Sequence, residues 1–183
     1  MNKSLIRICL KWGLIAGIVS IAIDIIMRYV LTEENSIIRN LLGIITLIII
    51  IVCIFKAIKE YKTKRDFNLP FLFLQGFGAG FWTTFCYCCI FTLHLIILSQ
   101  CIDKNFFDKY KQKQIATISE SNLSENDKSA KIKKIEDIDN VILIGSNFIQ
   151  SFIFPLMATL FITVFMKQSI PSKEEIKNNK KDE

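Results

Sequence analysis

The sequence predicts an all-α integral membrane protein: a four-helix bundle with a helical extracytoplasmic loop. Three observations lead there. Apolar types make up 51% of the 183 residues, and the mean hydropathy is +0.39. These residues gather into four long runs, whereas a soluble chain spreads them at periods of 2 or 3.6. Finally, lysines and arginines collect at one end of each run, as the positive-inside rule requires.

The runs are Trp12 to Leu31, Ile37 to Ala57, Phe71 to Leu98 and Val141 to Met166. At about 1.5 Å per residue each can cross a hydrocarbon core about 30 Å thick. Hydrocarbon offers no partner for backbone N–H and C=O groups, so the spans must be helices. The strands of a membrane barrel would alternate, and these runs do not. The whole chain, 1–183, reads as one four-span domain with an outer loop at 99–140 and a tail at 167–183. The first run has the basic start of a signal peptide, but no A-x-A-like site follows and the run is too long, so it reads as a retained helix.

Lys3, Arg7 and Lys11 precede the first span. Lys56, Lys59, Lys62, Lys64 and Arg65 follow the second, and Lys167, Lys173, Lys177, Lys180 and Lys181 follow the fourth. An even number of crossings puts both termini on one side. Both termini and the second loop are therefore expected in the cytoplasm of a bacterial inner membrane. The net charge of +6 reflects this bias and attraction to anionic lipid, so the lipid bilayer is the expected partner and nucleic acid is not.

In the outer loop, Asp103 is placed to cap a helix carrying Phe106, Phe107, Tyr110, Gln114, Ile115 and Ile118. Ser124, three residues before Asp127, makes a capping-box-like start for a second helix, which is expected to run on into the fourth span. The loop reads either as an amphipathic hairpin over the bundle mouth or as a docking surface. Beyond the fourth span, Pro171 should stop the helix and leave a polar tail.

Polar residues within the spans are the candidates for function, because burying an ionisable group in a membrane costs about 2.5–3.5 kcal/mol on insertion scales. Asp24 and Arg28 are spaced i, i+4 and share a face. Gly13, Gly17, Ser20 and Asp24 fall within about 60° of one another, and Gly13 with Gly17 makes a G-x-x-x-G packing surface. Gly76, Gly80, Thr83 and Tyr87 repeat the offsets on the third span, with His94 on the same face. At 1.5 Å per residue, Asp24 lies about 10 Å and His94 about 6–9 Å from the outer ends of their spans. Asn147 and Gln150 reach similar depth on the fourth span, and Asn40 and Thr46 flank that level on the second. The five residues Asp24, Arg28, His94, Asn147 and Gln150 thus form a candidate polar layer. It reads as a hydrogen-bonded register lock, or as a proton or ion relay with Asp24 as carrier and His94 as titrating partner.

Catalytic signals are missing from the sequence. One histidine excludes a multi-His metal site, and G-x-S-x-G, H-E-x-x-H, P-loop and dinucleotide fingerprints do not occur. The "QGFGAGF" glycines lie inside an apolar span, where helix packing explains them. Cys53, Cys86, Cys88 and Cys89 lie within spans, Cys9 near the inner surface and Cys101 near the outer, so the six cysteines form no disulfide framework and read as small packing groups. No cofactor, no metal and no enzyme activity are expected.

The order "KWGLIAGIVSIAIDIIMRYVL", "IFKAIKEYKTKRD", "LPFLFLQGFGAGFW" and "CIDKNFFDKYKQKQ" resembles the small four-span bacterial membrane proteins of the domain of unknown function 4199 family. The resemblance covers most of the chain. It implies four helices in an inner membrane and no assigned activity. The leading functional expectation is a non-enzymatic structural or accessory component acting through helix packing, as an oligomer or with a membrane partner. The alternative is a proton- or ion-coupled transport protein using the Asp24, Arg28 and His94 layer.

Overall fold

The computed structural model describes residues 3–29, 36–64, 71–121 and 124–166. Every regular element among them is helical: α1 (Lys3–Tyr29), α2 (Ser36–Thr63), α3 (Phe73–Ile97), a π-helical turn (Leu98–Ile102), α4 (Phe106–Ser119), α5 (Glu125–Glu136) and α6 (Asn140–Met166). Helices α1, α2, α3 with its π-turn, and α6 are long and apolar enough to cross a membrane. The tail at 167–183, with Pro171, and the segments 30–35, 65–70 and 122–123 lie outside the described residues.

The helices run past the apolar spans. Helix α1 begins at Lys3 and not near Trp12. No glycine or proline interrupts its first turns, and extending a helix is far easier than nucleating one. Ile8 and Cys9 anchor this polar start by being buried. Helix α2 likewise continues to Thr63 through "KAIKEYKT", a run mostly of good helix formers. At the start of α3, Gln75 Oε1 accepts the Leu72 N–H at 3.2 Å, the side-chain half of a capping box.

Two loop expectations need correction. Asp103 does not cap α4 as its N-cap. It sits three residues before Phe106, its Oδ1 accepts the Asn105 N–H at 3.2 Å, and its Oδ2 pairs with Lys109 at 2.9 Å. The π-turn ends at Asp103, whose N–H reaches Leu98 O at 2.8 Å, and a turn at Lys104–Asn105, with Phe106 N–H to Asp103 O at 3.0 Å, then separates Asp103 from α4, whose N-cap is Asn105. Helix α5 does not run into α6 either; it ends at Glu136. Asp139 then accepts the Val141 N–H at 3.4 Å and restarts the chain as α6. Aspartates compete with the helix for backbone donors, and two in three residues break it. The expected start of α5 is present, with Ser124 Oγ accepting the Asp127 N–H at 3.2 Å and donating to its carboxylate at 2.6 Å.

The chain folds as two compact units, Met1–Ile90 with Phe152–Glu183, and Phe91–Ser151. In the first, α1 and α2 are antiparallel neighbours, with Arg39 Nη2 donating to Met27 O at one end and Lys11 pairing with Glu60 at the other. Ile50, Ile54, Ala57, Ile58, Ile8, Ala16 and Ala79 are buried in it. Lys62 Nζ donates to Met166 O at 3.0 Å, a cation placed on the negative end of α6. In the second, α4 and α5 form a helical hairpin. Ile115 and Ile118 of α4, and Ile132 and Ile135 of α5, are its half-buried apolar positions. Lys111 Nζ reaches Glu136 O at 3.3 Å, and Phe107 is buried.

Candidate functional site

Helices α1 and α3 approach closely because α1 presents glycine. A Cβ built at Gly13 would stand 2.7 Å from Cys86 Cβ and 3.0 Å from the Thr83 carbonyl oxygen. At Gly17 it would stand 2.7 Å from Ile90 Cγ2. The contact also brings Cys9 Sγ to within 3.4 Å of Ala79 O. One turn further along α1, Ser20 is buried, and Tyr87 of α3 brings its phenol within electrostatic reach of Ser20 and Asp24.

Asp24 is 6% exposed. Its Oδ2 accepts from Arg28 Nε at 2.6 Å, while the Arg28 side chain remains one-third exposed. The carboxylate is thus buried against protein, and the arginine stem carries its charge toward the helix end. Chemically, this is a charge pair within one helix, bordered by two hydroxyl-bearing side chains.

The glycines of α3 face α6 in the same way. A Cβ at Gly76 would stand 2.8 Å from Thr163 Cγ2, and one at Gly80 would strike Thr159. Both threonines are fully buried and turn their hydroxyls back onto their own helix, Thr159 to Pro155 O at 2.9 Å and Thr163 to Thr159 O at 2.7 Å. Those bonds satisfy the hydroxyls and leave the methyl groups to pack on glycine. Gly78, between them, meets nothing within 4 Å. The Cβ positions of Gly13, Gly17, Gly76 and Gly80 are therefore all occupied by other helices of the same unit.

The remaining layer residues belong to the second unit. His94 is half-buried beside Phe91, with ring centroids 6.1 Å apart. Asn147 Nδ2 donates to Leu143 O at 2.9 Å, within its own helix. Gln150 is exposed.

Sequence reasoning missed one polar centre altogether. Glu60, near the end of α2, accepts from Trp12 Nε1 at 2.7 Å and Lys11 Nζ at 3.0 Å, and from Lys64 Nζ at 2.7 Å. Lys11 also lies over the Trp12 ring at 4.8 Å. The local signal was an acid among lysines with a tryptophan beside the opposite basic segment, but 48 residues separate Trp12 from Glu60. Among the described residues, no group of three His, Cys, Asp or Glu side chains has the geometry to hold a metal ion.

Comparison with curated proteins and with solved structures yields no match. A family model does match, over residues 11–168, which takes in all four spans and the helical hairpin. The resemblance carried by the span order is thereby established, and the chain belongs to the family described as "Protein of unknown function (DUF4199)".

Proposed function

We propose that this protein is a small multi-pass component of the bacterial inner membrane, with both termini in the cytoplasm, that acts without catalysis as an accessory to other membrane proteins. The observation that carries this reading is the Asp24–Arg28 ion pair itself. The carboxylate within the apolar runs is bound at 2.6 Å to a cation of its own helix and buried against α3. A group held this way fixes helix register, and it is a poor shuttle because releasing a proton carrier requires breaking the pair first. The glycine contacts support the same reading, since they spend the closest-approach surfaces on the fold itself. A partner, whether another protein or a second copy, would then meet the outward apolar faces of the helices.

Reconstitution into liposomes tests this. Under an imposed pH gradient, liposomes containing the protein should leak protons no faster than empty ones, and Asp24→Asn should change nothing. Flux well above the empty control that Asp24→Asn abolishes would overturn the accessory reading in favour of transport.

A further inference from the structure

A cavity of about 330 Å³ opens between the N-terminal turns of α1 and the end of α2. Its lining is Ser4, Arg7, Ile8, Lys11, Glu60 and Lys64. Three cations face one carboxylate, and that carboxylate is already engaged by Lys11, Lys64 and Trp12. Arg7 makes no ion pair or hydrogen bond among the described residues. The cavity therefore keeps an excess of positive charge and a guanidinium with its donors unused, the fork geometry that grips phosphate oxygens.

The surroundings say what kind of phosphate. Trp12 stands at the boundary between the basic segment and the apolar run, the position tryptophan takes at the headgroup level. Arg7, Lys11, Leu14 and Ile18 follow one stripe of α1, within about 60° of one another. Leu14 is 45% and Ile18 62% exposed. The stripe thus passes from cations at the cavity to bare apolar side chains below it, which matches a headgroup continuing into an acyl chain. Basic pockets between membrane helices recognise lipid phosphates on these terms. We propose that this cavity binds the phosphate of an anionic phospholipid, with Arg7 as its principal ligand, Lys11 and Lys64 as supporting charges, and the acyl chain lying along Leu14 and Ile18. The proposal stands independently of the accessory reading.

Native mass spectrometry of the full chain, purified in a neutral detergent, tests it with phosphatidylglycerol, phosphatidylcholine and inorganic phosphate as probes. Phosphatidylglycerol should be retained at least about tenfold more tightly than phosphatidylcholine. Arg7→Gln should weaken phosphatidylglycerol about tenfold, the worth of a charge-assisted hydrogen bond. Lys59→Gln, which removes an exposed cation of α2 outside the cavity, should change it less than about twofold. Circular dichroism confirms that each variant keeps its helices. Equal retention of the two lipids, or an equal loss from Lys59→Gln, would overturn the site and leave only diffuse attraction. Displacement of the lipid by millimolar inorganic phosphate would assign the cavity to a soluble phosphate compound and overturn the lipid proposal.

Discussion

Replacing Gly13 by alanine adds one methyl group, and the structure says where it goes. The new Cβ would meet Cys86 Cβ at 2.7 Å and the Thr83 carbonyl oxygen at 3.0 Å. Neither is the end of a flexible side chain; both are tied to the backbone of α3. Carbon pairs settle at about 3.5–4.0 Å, so α1 and α3 must part by about 1 Å locally. Overpacking of this kind costs about 1–3 kcal/mol. Against it, alanine is a better helix residue than glycine by about 0.5–1 kcal/mol. The contact therefore wins, and Gly13→Ala should destabilise. Gly43 supplies the control, because it lies in α2 with nothing within 4 Å of its built Cβ. Gly43→Ala should gain the helix preference with no clash and raise stability. Gly17→Ala should fall between them, since Ile90 can yield part of the space with its side chain. Thermal unfolding of the three variants in detergent reads the order, at about 2–4 °C for each kcal/mol in a chain of this size. If Gly13→Ala matches or exceeds Gly43→Ala in stability, the close contact of α1 with α3 is refuted.

Two further outcomes are expected. In a double-mutant cycle, Asp24→Asn and Arg28→Gln should each lower the unfolding temperature, and the double variant should recover much of the loss; a coupling of about 1–3 kcal/mol is expected, discounted because Arg28 is one-third exposed. Additive effects would mean that the pair does not lock the helix. Ser124→Ala should cost α5 about 1 kcal/mol by removing its N-cap, seen as faster hydrogen exchange at the Asp127 and Lys128 amides, and unchanged exchange would show that other contacts hold this helix.

The residues differ in how plainly they could be read. Ser124 and Asp127 marked a helix start because a cap is a local device, complete within four residues. Asp24 and Arg28 marked a pair because i, i+4 neighbours meet on any helix. Asp139 and the π-turn were harder. Both concern where one helix stops and the next starts, and a turn of only two residues, Lys104 and Asn105, is enough to leave Asp103 short of the α4 cap.

The four spans were legible before any coordinates, and the reason is the solvent. A hydrocarbon layer sets the length of each apolar run and forces each run to be helical, so composition along the chain suffices to find them. Nothing comparable governs what one helix offers another. Gly78 and Gly80 look alike in "QGFGAGF", yet one meets open space and the other a buried threonine. The rotation of α3 against α6 makes that difference. Glu60 is an ordinary acid at the end of a basic segment until the α1–α2 pairing brings Trp12 and Lys11 to it across 48 and 49 residues. Partners so far apart along the chain are chosen by packing, which no local pattern records.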